Sequence, residues 1–332
     1  MTLTIDRGRT ASIHAAPERT VLLTDLITLG ERLGISLPDT AARTGRPFLV
    51  PDSFVRRMVP GDLQDPLLRQ VLPDAAEDRP VDGFIEDPVG DEAAAAPEGG
   101  LQKYAGRVLL PVTQACALHC RFCFRRNRPP NRFLDDPETL SRAVQALSAR
   151  TDIREVILSG GDPLMLFPDV LEQLLGDLCR MPHLTRVRIH TRIPIAAPER
   201  VGGVLMGVLA SCSKPLVIVV HTNHPRELSQ ETAEALGRLS GRAAALLNQS
   251  VLLRGINDSA EVLAELSEAL FAQGVLPYYL HQLDRARGVA HFEVPVEEGR
   301  RIMAELRALC PGWLVPRYVR EIPGQPYKTL LV

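Results

Sequence analysis

The chain has 332 residues, 45% of them hydrophobic, with 38 Lys and Arg against 40 Asp and Glu and a formal net charge of -2. That length is ample for one large core with an added subdomain, and the charge balance argues against a general nucleic-acid binder. No apolar run approaches the roughly 20 residues of a membrane span. The opening "MTLTIDRGRTASIHAAPERT" also lacks the basic-then-apolar plan of a secretory signal, so the expected location is the cytoplasm.

The first hundred residues read as a mainly helical accessory segment without a recognisable site. A short helix is expected around Leu23 to Leu33. Pro and Gly then break "PFLVPDSFVRRMVPGDLQDPLLRQVLP", and "DEAAAAPEGG" has the acidic, Ala-rich character of a surface connection. From Arg107 the pattern turns regular, with strands expected over 107–112, 154–160, 185–191, 215–222, 244–250 and 275–281. Helices are expected in "DPETLSRAVQALSAR", "DVLEQLLGDLCRM", "SQETAEALGRLSG", "SAEVLAELSEALFAQG" and "VEEGRRIMAELRALC". Repeated strand-then-helix units with continuous apolar strands mean an α/β fold, a parallel sheet covered by helices.

Both an open sheet and a barrel satisfy that alternation. Polar residues collect where nearly every strand ends: Ser159 to Asp162, His190 to Arg192, His221 to His224, Asn248 to Ser250, and His281, Gln282 and Asp284. A barrel would gather all of these at one mouth, whereas an open sheet would scatter them along an edge. A barrel of about six units is therefore expected over 101–312, preceded by the accessory segment 1–100 and followed by a C-terminal segment, 313–332.

Three of the six cysteines, Cys116, Cys120 and Cys123, lie in "QACALHCRFCFRR" just after the first barrel strand, spaced C-x3-C-x2-C. Three thiolates leave one coordination position open, and on an iron–sulfur cluster this frees one iron for an outside ligand. Zinc with His119 or a distant residue as fourth ligand is the alternative. Zinc motifs usually come as two pairs, and no second pair is present. Cys179, Cys212 and Cys310 sit singly in apolar surroundings and read as reduced, partly buried small side chains.

With Phe122 before the last cysteine, this motif resembles the signature of radical S-adenosylmethionine (SAM) enzymes. Gly160, Gly161 and Asp162 match that family's Gly-Gly-acidic turn, which receives the SAM amino group. The resemblance implies a partial (β/α)6 barrel and a 4Fe-4S cluster on Cys116, Cys120 and Cys123, which on reduction cleaves SAM to a 5′-deoxyadenosyl radical. Further along, "CRFCFRR", "SGGDPL", "HTNHPREL", "LLNQSVLLRGIND", "DRARGVAHF" and "LVPRYVREIPGQPYKT" together resemble the lysine 2,3-aminomutase family. The likeness runs from about Phe48 to the C-terminus and points within that family to the shorter branch that makes (R)-β-lysine for elongation factor P.

The activity so implied is interconversion of L-lysine and β-lysine with pyridoxal phosphate (PLP) as a further cofactor. By the same resemblance Lys328 in "GQPYKT" carries PLP, and Arg125 pairs with the lysine carboxylate. Asp284 and Glu321 receive the side-chain ammonium, Glu321 standing where longer members have a second aspartate. Lys103, Tyr104 and Arg107 correspond to the segment that holds the PLP phosphate. His221, His224, Asn248 and Gln249 are expected to line the SAM and PLP pocket, while His190 and Arg192 receive no role. The implied partners are L-lysine and an electron donor such as flavodoxin or ferredoxin, without nucleic acid or membrane. The chain stops four residues after Lys328, so the zinc-binding C-terminal extension of longer members is not expected, and a homodimer would use other surfaces. The alternatives are a glutamate-type aminomutase, which would lack the ammonium-binding carboxylates, and a zinc-binding regulatory module.

Overall fold

In the computed structural model, which describes residues 11–13, 20–37, 46–96 and 99–331, the apolar runs and amphipathic stretches form strands and helices as their periodicities require. The N-terminal part comprises β1 (Ala11–Ile13), β2 (Thr20–Leu23), α1 (Leu26–Leu33), β3 (Val50–Pro51), α2 (Asp52–Val55) and α3 (Pro66–Arg69). Asp25 caps α1 by accepting from the Thr28 amide, and Gly34 ends it at φ 64°, a left-handed conformation that costs glycine nothing. Strands β1, β2 and β3 make a small antiparallel sheet alongside the short helices. Strands this short show no alternation in sequence, which is why only the helix was legible.

The main sheet follows. Its elements are β4 (Leu101–Tyr104), β5 (Arg107–Thr113), α4 (Pro137–Ser148), β6 (Glu155–Gly160), α5 (Pro168–Arg180), β7 (Arg186–Thr191), α6 (Ile193–Ala196), α7 (Gly203–Ser211), β8 (Leu216–Val220), α8 (Gln230–Ser240), β9 (Ala245–Val251), α9 (Ala260–Ala272), β10 (Leu276–His281), α10 (Val296–Leu309), β11 (Arg317–Arg320) and β12 (Thr329–Leu330). Strands β5 to β11 run parallel in sequence order, with β4 and β12 antiparallel at the two edges. No strand pairing joins β4 to β12 among the described residues, so the barrel is partial. Its two margins nonetheless face one another: the Tyr104 hydroxyl on β4 donates to Glu321 Oε1, just after β11, at 2.7 Å.

The strands divide their side chains between two environments. On β7, Val187 and Ile189 join the buried core under the helices, while Arg188 and His190 line a central cavity. Helix α5 buries Leu171, Leu174, Leu175 and Leu178, a stripe at helical spacing worth about 2 kcal/mol per leucine. Helix α7 was not expected, because its apolar residues surround it and leave no stripe to read. Cys179 and Cys212, read as isolated in sequence, are neighbours at the ends of α5 and α7 with sulfurs 2.7 Å apart; Cys310 is buried in the cluster beneath α10. Among the described residues no helix is long and apolar enough to cross a membrane.

Candidate active site

The cysteine loop leaves β5 and is zipped onto the glycine turn that ends β6. The Gly161 amide donates to Thr113 O at 2.6 Å, and the Asp162 amide donates to Ala115 O at 2.8 Å. Gly160 has φ 119°, and a Cβ on Gly161 would come within 2.3 Å of Ala115 O, so side chains are excluded where the two loops meet. Gly161→Ala overpacks this junction at a cost of about 1–3 kcal/mol. It is expected to lower the thermal unfolding temperature by several degrees and to reduce iron uptake on reconstitution, both read on the purified variant.

Within this turn the Asp162 side chain serves the fold. Its carboxylate accepts from Thr191 Oγ1 at 2.8 Å and from the amides of Arg192, Ile193 and Leu164 at 2.6, 3.2 and 3.0 Å. Burial raises its pKa to about 6 against the pull of these donors. With both oxygens committed to the end of β7, the acceptors left for a ligand amino group are the backbone carbonyls of the turn.

All three motif cysteines are free and line a cavity of about 560 Å³, within the usual range for small-ligand sites. Burial pushes the Cys116 and Cys120 thiols up; Arg192 opposes this at Cys120, donating to its sulfur at 2.7 Å. Among the described residues no three His, Cys, Asp or Glu side chains are grouped to ligate a single ion. A cluster makes no such demand, because each thiolate takes its own iron. His119 is not among the residues that line this cavity, and its Nδ1 lies 2.9 Å from Pro47 O.

The same cavity is lined by a group of charged side chains. The β11–β12 register pairs Arg320 with Thr329, which brings Glu321 and Lys328 together across a turn that Gly324 makes at φ 80°. Lys328 Nζ donates to Glu321 Oε2, and Tyr104 occupies Oε1. Burial would raise the Glu321 pKa, but Lys328 and Tyr104 outweigh it and hold it below its ordinary value. Asp284 also lines the cavity; burial pushes it up to about 7, with Lys328 pulling the other way. A cation brought beside it would hold it ionised.

Arg125 reaches the same space from the cysteine loop, its Nε donating to Asp91 Oδ2 at 3.0 Å and its Nη1 to Ser159 Oγ at 3.2 Å. Asp91 also takes Lys103 Nζ at 2.8 Å and Arg128 Nη1 at 2.9 Å. Burial would raise its pKa, yet Arg125 and Lys103 keep it well below the usual carboxylate range. The stretch expected as a surface connection thus puts its aspartate, 4% exposed, into the wall of the site.

Other expectations are redistributed. Lys103 and Tyr104 are committed to carboxylates. Within the trio expected to hold phosphate, Arg107 alone keeps a buried nitrogen, Nε, without a partner, and its guanidinium lies over the Tyr104 ring at 4.7 Å. Gln249 and His221 line the cavity, and His221 stacks on Phe122 with ring centres 5.7 Å apart. Asn248 does not: neighbouring residues of a strand face opposite ways, and its amide bridges Thr222 and Ser250 instead. Nor does His224, whose Nδ1 accepts from the Arg226 amide to cap a short turn.

His190 and Arg192, left without a role in the sequence, are cavity residues, as are His281, Tyr278 and Tyr279. A register shift between Pro277 and Tyr279 accompanies the two consecutive tyrosines facing the same side. Burial keeps His190, His221 and His281 neutral, His221 being lowered to about 3.

Residues 110–201 match the family model described as the Radical SAM superfamily. A radical SAM methyltransferase from Sphaerobacter thermophilus is similar in structure over 64% of this chain and 66% of its own, with 19% identity and a TM-score of 0.45. The chain is 44% identical to an L-lysine 2,3-aminomutase of Escherichia coli (strain K12) over 85% of its length and 82% of that protein. Identity to an L-lysine 2,3-aminomutase of Haemophilus influenzae is 41%, over 87% of this chain and 86% of that one. With three loop cysteines and a carboxylate-paired lysine lining one cavity, and with relatives of this identity and coverage, the chain belongs to the L-lysine 2,3-aminomutase family of radical SAM enzymes.

Proposed function

We propose that this chain moves the α-amino group of L-lysine to the β-carbon and that its product is (R)-β-lysine for elongation factor P. The observation that carries the reading is that Cys116, Cys120 and Cys123 line one cavity together with Lys328, Glu321 and Asp284. The side chains fit the groups this chemistry needs. Three thiolates suit a 4Fe-4S cluster whose remaining iron takes SAM, Lys328 offers an amine to PLP, and Arg107 has a buried nitrogen free for phosphate. When bound, the reduced cluster with SAM supplies a carbon-centred radical, and PLP supplies a conjugated carbonyl that bridges adjacent carbons.

The protein's own contribution is alignment. Arg125, clamped by Asp91 and Ser159, presents a fixed guanidinium edge to the substrate carboxylate, a task suited to its planar fork. Glu321 holds Lys328 Nζ; were that nitrogen to hold PLP, the Glu321 carboxylate would be available to the ammonium of a bound lysine. Asp284 completes the cation site. Held at both ends, the substrate presents one C–H to the radical, and the apolar walls formed by Leu109, Leu118, Phe133 and Leu283 keep water out. The reading extends to a flavodoxin or ferredoxin as electron donor, a cytoplasmic location and a homodimer.

Substrate choice tests it. Offered L-lysine and L-glutamate together, the anaerobically reconstituted protein with SAM, PLP and reductant is expected to form β-lysine only, because two carboxylates flank the place of the side-chain terminus. Formation of β-glutamate in preference would overturn the assignment.

A further inference from the structure

Arg192 has no part in the roles above, yet it is a tightly held cation against the sulfurs. It is 8% exposed at the end of β7. Its Nη1 donates to Cys120 Sγ at 2.7 Å, and its Nη2 donates to Gln70 Oε1 at 2.6 Å and Glu227 Oε2 at 2.8 Å. The guanidinium lies between the rings of Phe54 and Phe122, 5.5 and 5.7 Å from their centres. Glu227 is fully buried and is itself fixed by the Asn223 and His224 amides and by Gln70 Nε2, at 2.8, 3.1 and 3.0 Å. Phe54 and Gln70 come from the N-terminal part, so that segment forms half of the cage around the guanidinium.

A cation that merely neutralised Glu227 would not need its other nitrogen on a sulfur. We propose that Arg192 is a positioning residue for the cluster electron: by donating to the Cys120 sulfur it raises the reduction potential of a 4Fe-4S cluster held by Cys116, Cys120 and Cys123, and Gln70 and Glu227 keep it there. The inference rests on the cluster reading given above.

The step concerned is the arrival of one electron from an external one-electron carrier. No protein bond forms or breaks, and the negative charge on the cluster and its thiolates increases by one. A charge-assisted hydrogen bond to a ligand sulfur strengthens with that charge, and in a buried setting little solvent screens it. Its loss should cost about tenfold in the ratio of reduced to oxidised cluster at a fixed potential, which for one electron is about 59 mV. Arg46 lies against the same sulfurs, hydrogen-bonded to Cys123, and is retained in every variant below.

The test is a mediated redox titration of the reconstituted proteins without SAM, read by the paramagnetic signal of the reduced cluster at matched iron and sulfide content. Arg192→Gln is expected to lower the midpoint by about 59 mV, the tenfold change above. Arg192→Lys keeps the charge but cannot span Cys120 and Glu227 at once, and should fall between that variant and the wild type. Because Arg192→Gln leaves Glu227 buried without its cation, the double variant R192Q/E227Q removes both charges together; its midpoint should fall in the same direction by less, since the arginine is the nearer group. Midpoints at the wild-type value in the loaded variants would overturn the proposal. A wild-type protein that takes up no iron or sulfide would instead overturn the cluster reading, and this inference with it.

Discussion

Lys328→Ala is expected to reduce β-lysine formation by at least about a thousandfold, because the covalent tether proposed for Lys328, which would concentrate the reacting carbonyl at this point of the cavity, is lost. Reductive cleavage of SAM should persist, since the cysteine wall does not depend on Lys328. The variant also strips Glu321 of its cation, leaving Tyr104 and, at 3.8 Å, Lys103 as its partners. The Glu321 pKa should then rise, because Lys328 is the strongest influence holding it down against burial. Chromatographic separation of β-lysine and of 5′-deoxyadenosine from one anaerobic reaction checks both halves. Undiminished β-lysine from Lys328→Ala would remove PLP from that residue.

Asp284→Asn should raise the KM for lysine by about 10- to 100-fold, the usual cost of removing the charged partner from a buried ammonium, with a smaller effect on kcat. The pH dependence follows from burial, which sets the Asp284 pKa at about 7. Only the ionised carboxylate pairs with an ammonium, so kcat/KM should rise with pH through about 7, and this limb should vanish in Asp284→Asn. Stability runs the opposite way. A carboxyl whose folded pKa exceeds its unfolded value binds more protons when folded, so its contribution is lost as pH rises from about 4 to about 7. Above pH 7 the asparagine variant should therefore be more stable than the wild type, by on the order of 2 kcal/mol given partial solvent contact, and should unfold at a higher temperature. Variants and wild type should converge in acid. An unchanged pH limb in the variant would assign that titration to another group.

Much of this was legible because the signals were local. The strand runs are β-branched and continuous, the α5 stripe is strict, and Cys116, Cys120, Cys123 and the Gly160–Gly161 pair act through spacing that a sequence displays directly. What escaped depends on distances the chain does not print. Asp91 looks like one acid in an alanine-rich connection until the fold sets it against Arg125, Lys103 and Arg128. Asn248 and Gln249 are adjacent and equally polar, and only the inward or outward parity of β9 decides which meets the cavity. Asp162 fits its motif in identity but spends its carboxylate on the end of β7, a contact made across 29 residues. Strands β11 and β12 are short and β4 antiparallel, so six regular units could be counted while the margins that carry Tyr104, Glu321 and Lys328 could not.

The central claim is that the sulfur wall and the lysine wall serve one substrate in one cavity. L-lysine deuterated at its β-carbon, turned over anaerobically with the reconstituted protein, SAM, PLP and reductant, tests this most directly. The account predicts that one of the two deuterium atoms leaves that carbon and is recovered both in the 5′-deoxyadenosyl group and at the neighbouring carbon of β-lysine. β-Lysine formed while the 5′-deoxyadenosyl group stays free of deuterium would contradict it.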